Sequence, residues 1–116
     1  MKVEILVHGK DGKPEALEVP RVARVFFHFG EKFFVHRRYK KNKNGEFIFS
    51  KSFWGVSHFQ TGLAVTQPIE CNRTIQQAVD NAVRGLEEKG ERLIETSLKE
   101  GKERFGILNK NSSCFL

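Results

Sequence analysis

No apolar run in the chain approaches the ~18 residues that a membrane-spanning helix needs. The opening residues Met1-Lys2-Val3-Glu4-Ile5-Leu6-Val7-His8 alternate apolar with charged side chains, a strand pattern and not the apolar block of a signal peptide. Together these point to a cytoplasmic protein with no membrane partner. Cysteine is nearly missing. Cys71 and Cys114 form no CxxC and have no histidine at ligand spacing, so a disulfide framework is excluded and both read as free thiols. His8, His28, His36 and His58 show no HExxH-type spacing, and there is no phosphate-binding glycine loop or paired-carboxylate motif. Neither metal nor cofactor is expected, and the chain reads as non-enzymatic.

Acid is scarce where base is abundant. Between Lys32 and Lys51 stand seven basic residues against one acid, Glu46. Residues 1–31 are neutral, 32–73 sum to +6, 74–105 to −1 and 106–116 to +1, so the net charge of +6 is concentrated in one segment. Eleven of the thirteen aromatic residues lie between Val22 and Gln67, in and around that same stretch. Cations among rings suit phosphate contact combined with base stacking.

The first half reads as strands divided by turn signals. Lys2–His8 is closed by Gly9-Lys10-Asp11-Gly12-Lys13-Pro14, and Ala16–Val19 forms a short edge strand between two prolines. Val22–Phe29 and Lys32–Lys40 form a hairpin about a Gly30-Glu31 turn, and Asn42-Lys43-Asn44-Gly45 makes a second turn. Glu46–Phe53 and Trp54–Phe59 continue the sheet with a bend near Gly55, and Leu63–Gln67 adds a last strand. In the second half, Thr74 with Gln77 is a capping box. The apolar stripe Ile75, Ala78, Val79, Ala82, Val83, Leu86 stays in phase through Gly90 to Leu93, Ile94 and Leu98. The expectation is one long helix from Thr74 to about Lys99, straight or bent, although a break at Gly90 fits the same pattern. The fold class is α+β: a twisted antiparallel sheet, a meander of hairpins, packed on one long C-terminal helix. Residues 1–105 form the domain, with 106–116 a mobile tail.

One helix covers one sheet face. With Gly30-Glu31 as the turn, His28 opposes Phe33, Phe26 opposes Val35, Arg24 opposes Arg37 and Val22 opposes Tyr39. The face with Ala23, Val25 and Phe27 suits a helix lined by Ala78, Ala82 and Val83. The face with Arg24, Phe26, His28, Phe33, Arg37 and Tyr39 is then open, and a homodimer through open faces or sheet edges would cover it. The string Trp54-Gly55-Val56-Ser57-His58-Phe59-Gln60-Thr61-Gly62 holds serine, histidine and threonine, but no acid or oxyanion site can be placed beside them. Trp54 reads as a core anchor and Thr61-Gly62 as a turn.

The candidate site follows from these placements. Phosphates would be held by Arg24, Lys32, Arg37, Arg38, Lys40, Lys41 and Lys43, with Phe26, Phe33 and Tyr39 as stacking platforms. The partner is nucleic acid, single- or double-stranded. An acidic protein gripped by the same face is the alternative. The order of a strand meander followed by a helix over residues 22–99 resembles the small coactivator-type domains that bind single-stranded DNA as dimers. That resemblance implies a nucleic-acid ligand and transfers no individual residue.

Overall fold

The computed structural model describes residues 3–9, 11–65 and 72–109. Five antiparallel strands form two sheets, followed by two helices: β1 (Glu4–His8), β2 (Pro14–Glu18), β3 (Arg24–His28), β4 (Glu31–Lys41), β5 (Phe47–His58), α1 (Ile75–Lys89) and α2 (Glu91–Phe105). β1 and β2 pair as a separate hairpin, while β3, β4 and β5 form a meander in that order. The α+β antiparallel architecture matches the sequence pattern, but three of its details differ.

The first difference is the β3–β4 turn. Phe29 (φ 52°) and Gly30 (φ 73°) both take the left-handed region, so they are the two central residues and His28 opposes Glu31. Of the two-residue turns whose twist matches the strands, the one formed here needs positive φ at both positions. Glycine supplies one, and Phe29 accepts the other with its ring 4.3 Å from that of His28. The register therefore slips two residues from the expected one. Arg24 faces Val35 and Arg37 faces Trp54, so the anticipated arginine–arginine opposition does not occur.

The second difference is which face the helices cover. Phe33 and Val35, with Trp54 and Val56 from β5, are buried against Ala78, Ala82 and Leu86 of α1 and Ile94 and Leu98 of α2. The expected assignment is reversed. Small helix residues pair with the bulky sheet face because alternating large and small fills the space between layers. The other face is not open either. Phe34 and Phe59 are buried with Val3, Ile5, Val7 and Val19. The β1–β2 hairpin thus lies on one side of the meander and the helices on the other. Burying an aromatic or aliphatic side chain of this size contributes about 1.5–3 kcal/mol.

The third difference is Gly90. At φ 86° and ψ 152° it ends α1, donating its N–H to Leu86 O at 2.9 Å, and α2 starts at the next residue. An apolar stripe that stays in phase does not distinguish one helix from two; a glycine free to adopt positive φ decides it. The capping box is formed as expected, with Gln77 N–H donating to Thr74 Oγ1 at 3.0 Å and Thr74 N–H to Gln77 Oε1 at 3.3 Å.

Two further details concern β5 and residues 106–109. The bulge lies at Ser50–Phe53, where the register jumps and Ser50 Oγ accepts the N–H groups of Ser52 and Phe53 at 3.1 Å; Gly55 sits in the ladder opposite His36. Of the expected strand Leu63–Gln67, Ala64 bridges Ser57 and Val65 N–H reaches Val56 O at 2.8 Å; its last two residues lie outside the described residues. The tail is anchored at its start. Asn109, 4 % exposed, accepts Glu4 N–H at 2.9 Å and donates to Glu4 O at 2.8 Å and Phe59 O at 2.6 Å. The rest of the expected tail, from residue 110, lies outside the described residues. Among the described residues no helix is long and apolar enough to cross a membrane.

Candidate functional site

The ten expected site residues fall into three groups. Lys32 and Phe33 are in the core: Phe33 has no exposure, and Lys32 is 8 % exposed with its Nζ 4.6 Å from the Phe59 ring centre. Arg24 and Phe26 lie beside α1. Arg24 Nη1 donates to Gln76 Oε1 at 2.7 Å, and Phe26, half-buried, stacks on Phe33 at 5.5 Å. Neither Phe26 nor Phe33 is an exposed stacking platform, because the helices cover the face that holds them. Arg37, Arg38, Tyr39, Lys40, Lys41 and Lys43 remain together on the far half of β4 and the turn after it.

That far half is a two-stranded ribbon. β3 pairs only with residues 31–35 of β4, so from Tyr39 onward β4 pairs with β5 alone. Tyr39, Phe47 and Phe49 pack against the core beneath the β1–β2 hairpin, and Tyr39 meets Phe47 edge-on at 5.8 Å. Lys40 and its partner Ile48 alternate to the opposite side, where both are exposed. The turn is held by Asn42, whose Oδ1 accepts the N–H groups of Asn44 and Glu46 at 2.9 Å, while its own N–H donates to Glu46 O at 2.9 Å. At the base of the ribbon, the Arg37 guanidinium lies 3.7 Å from the Trp54 ring centre and donates to Lys51 O at 2.9 Å. This contact pins the Ser50–Phe53 bulge and leaves Lys51 exposed. Lys51 and Ile48 were not among the expected site residues; their place in the ribbon depends on the bulge, which shows no distinctive residue pattern.

Lys40, Lys41, Lys43 and Lys51 are all exposed. Among the described residues no carboxylate forms an ion pair with any of the four. Lys41 Nζ lies 5.3 Å from the Phe47 ring centre, which steadies its stem without neutralising it. Glu46, the one acid here, receives a long 3.4 Å contact from Asn42 Nδ2.

Two buried histidine clusters also emerge, both invisible in linear spacing. His36 Nδ1 lies 2.8 Å from Arg37 O, which can only accept, so Nδ1 carries the proton and Nε2 accepts from Ser57 Oγ at 2.8 Å. Burial, opposed by that carbonyl and aided by the Arg38 charge, lowers the His36 pKa to about 4. The pair lines a cleft of about 260 Å³ with Ile5, Arg38, Tyr39 and Gly55. A hydroxyl, a base and an orienting carbonyl are the parts of a nucleophilic site. A base near pKa 4 is nevertheless a weak proton acceptor at neutral pH, which favours a lock between β4 and β5. His58 is the second cluster. Its Nε2 meets Glu31 Oε1 at 2.6 Å and its Nδ1 meets Thr61 Oγ1 at 2.8 Å, tying the β3–β4 turn to the loop after β5. Burial lowers its pKa against the opposing pull of Glu31.

Comparison of the chain with protein-family models, curated proteins and solved structures finds no match. The resemblance to coactivator-type domains thus rests on element order alone. Of the three rings expected to stack on bases, Phe33 is buried under the helices, Phe26 is half-buried beside α1 and Tyr39 is half-buried on the side of the β1–β2 hairpin.

Proposed function

We propose that the protein is a nucleic-acid-binding protein that uses the β4–β5 ribbon as its binding element. The observation that carries this reading is the set of four exposed lysines, without acidic partners among the described residues, on a ribbon held in one shape by Asn42, Ser50 and Arg37. A ribbon whose backbone is held in shape before binding loses less conformational entropy when its lysines meet phosphate. The role is non-enzymatic and cytoplasmic in this reading. The competing reading, contact with an acidic protein, uses the same lysines and predicts partner capture that survives nuclease treatment.

Self-association fits the reading in one form only. With both faces of the meander covered, pairing of sheet edges is the route that fits, and the outer edge of β3 carries Phe27, 59 % exposed. A two-fold pair through that edge would present two ribbons, and light scattering tests it.

The direct test of binding is fluorescence anisotropy of labelled oligonucleotides over a salt series. Each phosphate contact on a duplex steepens the log–log salt slope by about 0.9, so the four lysines set a limit of about −3.6. Replacing Lys40, Lys41, Lys43 and Lys51 together by alanine is expected to abolish most binding while thermal stability holds. Binding by that variant with an unchanged slope would sink the proposal.

A further inference from the structure

The structure supports a narrower statement about the ligand, which rests on the nucleic-acid reading above. We infer that the ribbon takes B-form duplex DNA, entering the major groove with its outer side, and does not take single strands or duplex RNA. Single-strand binding needs rings on which bases stack, worth about 1–3 kcal/mol per base. The ribbon offers none that is fully exposed: Phe53 in the bulge is half-buried, as are Tyr39, Phe47 and Phe49. Tyr39, Phe47 and Phe49 turn inward onto the core, and Phe26 and Phe33 lie against the helices. Among the described residues Phe27 is the one ring that is largely exposed. It pairs with Lys32, eight positions along β4 from Lys40, which at about 3.3 Å per residue is roughly 26 Å away. A base stacked there would not share a nucleotide with the phosphates held by the ribbon lysines.

The shape that remains fits a groove. A B-DNA major groove is about 12 Å wide and admits a two-stranded ribbon, whereas the A-form major groove of RNA is too narrow and deep for side chains to read. Seated there, the outer side would bring Lys40 and Ile48 to the base edges. Lysine is a donor for guanine O6 and N7, and an aliphatic chain meets the thymine methyl. Lys43 in the turn and Lys51 in the bulge stand at the two ends of the ribbon, placed to reach phosphates.

The test uses the full chain and three labelled probes of equal length: a 20-bp DNA duplex, a 20-nucleotide DNA strand and a 20-bp RNA duplex. The expected result is at least tenfold tighter binding to duplex DNA than to either other probe. Changing Ile48→Ala and Lys40→Ala should each weaken duplex DNA binding several-fold with the salt slope held, whereas Lys43→Ala or Lys51→Ala should flatten the slope by about 0.9. Binding to the single strand as tightly as to duplex DNA would overturn the inference and leave the nucleic-acid reading standing. Equal binding to the RNA duplex would overturn the groove assignment alone. Binding to none of the three at low salt would remove the underlying reading itself.

Discussion

Acid should loosen this fold in a way that one residue reports. His36 is buried with its pKa lowered from 6.5 to about 4. Because the folded value lies below the unfolded one, the unfolded chain takes up the proton first. Stability is therefore full above about pH 6.5 and falls as pH drops toward 4. The drop over that window is about 3 kcal/mol at 1.36 kcal/mol per pKa unit. A domain of this size is stable by only about 5–15 kcal/mol, so the loss is a large share. His58 adds to it in the same direction. The measurement is urea unfolding followed by the fluorescence of Trp54, the only tryptophan, at steps from pH 7.5 to 4. His36→Gln keeps an amide near Ser57 and Arg37 O but removes the titrating group. It should be less stable than the parent at pH 7.5, and that gap should shrink by about 3 kcal/mol at pH 4. Carboxylate titration acts on both proteins and cancels in the difference. A gap that stays constant across the window would refute the reasoning, since His36 would then not be held neutral by burial.

Other outcomes follow from the same geometry. Asn109→Ala removes three hydrogen bonds and leaves Glu4 and Phe59 backbone groups unmatched, and should cost about 2–4 kcal/mol in urea unfolding. Two glycine replacements should have opposite signs. Gly85→Ala, inside α1 with no atom near its added Cβ, should stabilise by up to about 1 kcal/mol, whereas Gly90→Ala at φ 86° should destabilise by about 1–2 kcal/mol. Phe33→Ala should cost about 3–5 kcal/mol, whereas Lys40→Ala should stay within about 0.5 kcal/mol, so calorimetry separates core from ribbon.

The sequence made some elements legible and hid others for identifiable reasons. Period-two runs and turn residues located β4 and β5, and Thr74 with Gln77 marked the start of α1, because these signals are local. Which face of β3–β4 lies open could not be read from its residues because both are covered, one by the helices and one by the β1–β2 hairpin. The stripe Val3, Ile5, Val7 showed that β1 buries one side but not what it buries it against. Phe29 at positive φ hid the turn, since a bulky residue is a poor candidate for that region. For the site, the positions of the lysines were legible from charge alone. The burial of Phe33 was not, because ring exposure depends on which layer lands on which face. His36 and Ser57 meet only through strand register, 21 positions apart.

The Asn109 contact also sets an order of events. Both backbone groups of Glu4 are matched by a side chain 105 positions later in the chain. During synthesis at about 5–20 residues per second, that partner arrives roughly 5–20 s after Glu4 has been made. For that interval β1 holds an unfinished edge, and a nascent chain stalled before residue 109 keeps it. The Asn109 contact therefore acts as a completion mark: pairing with β2 holds β1 early, and the Glu4 position on its other edge is closed only after α2 has been made.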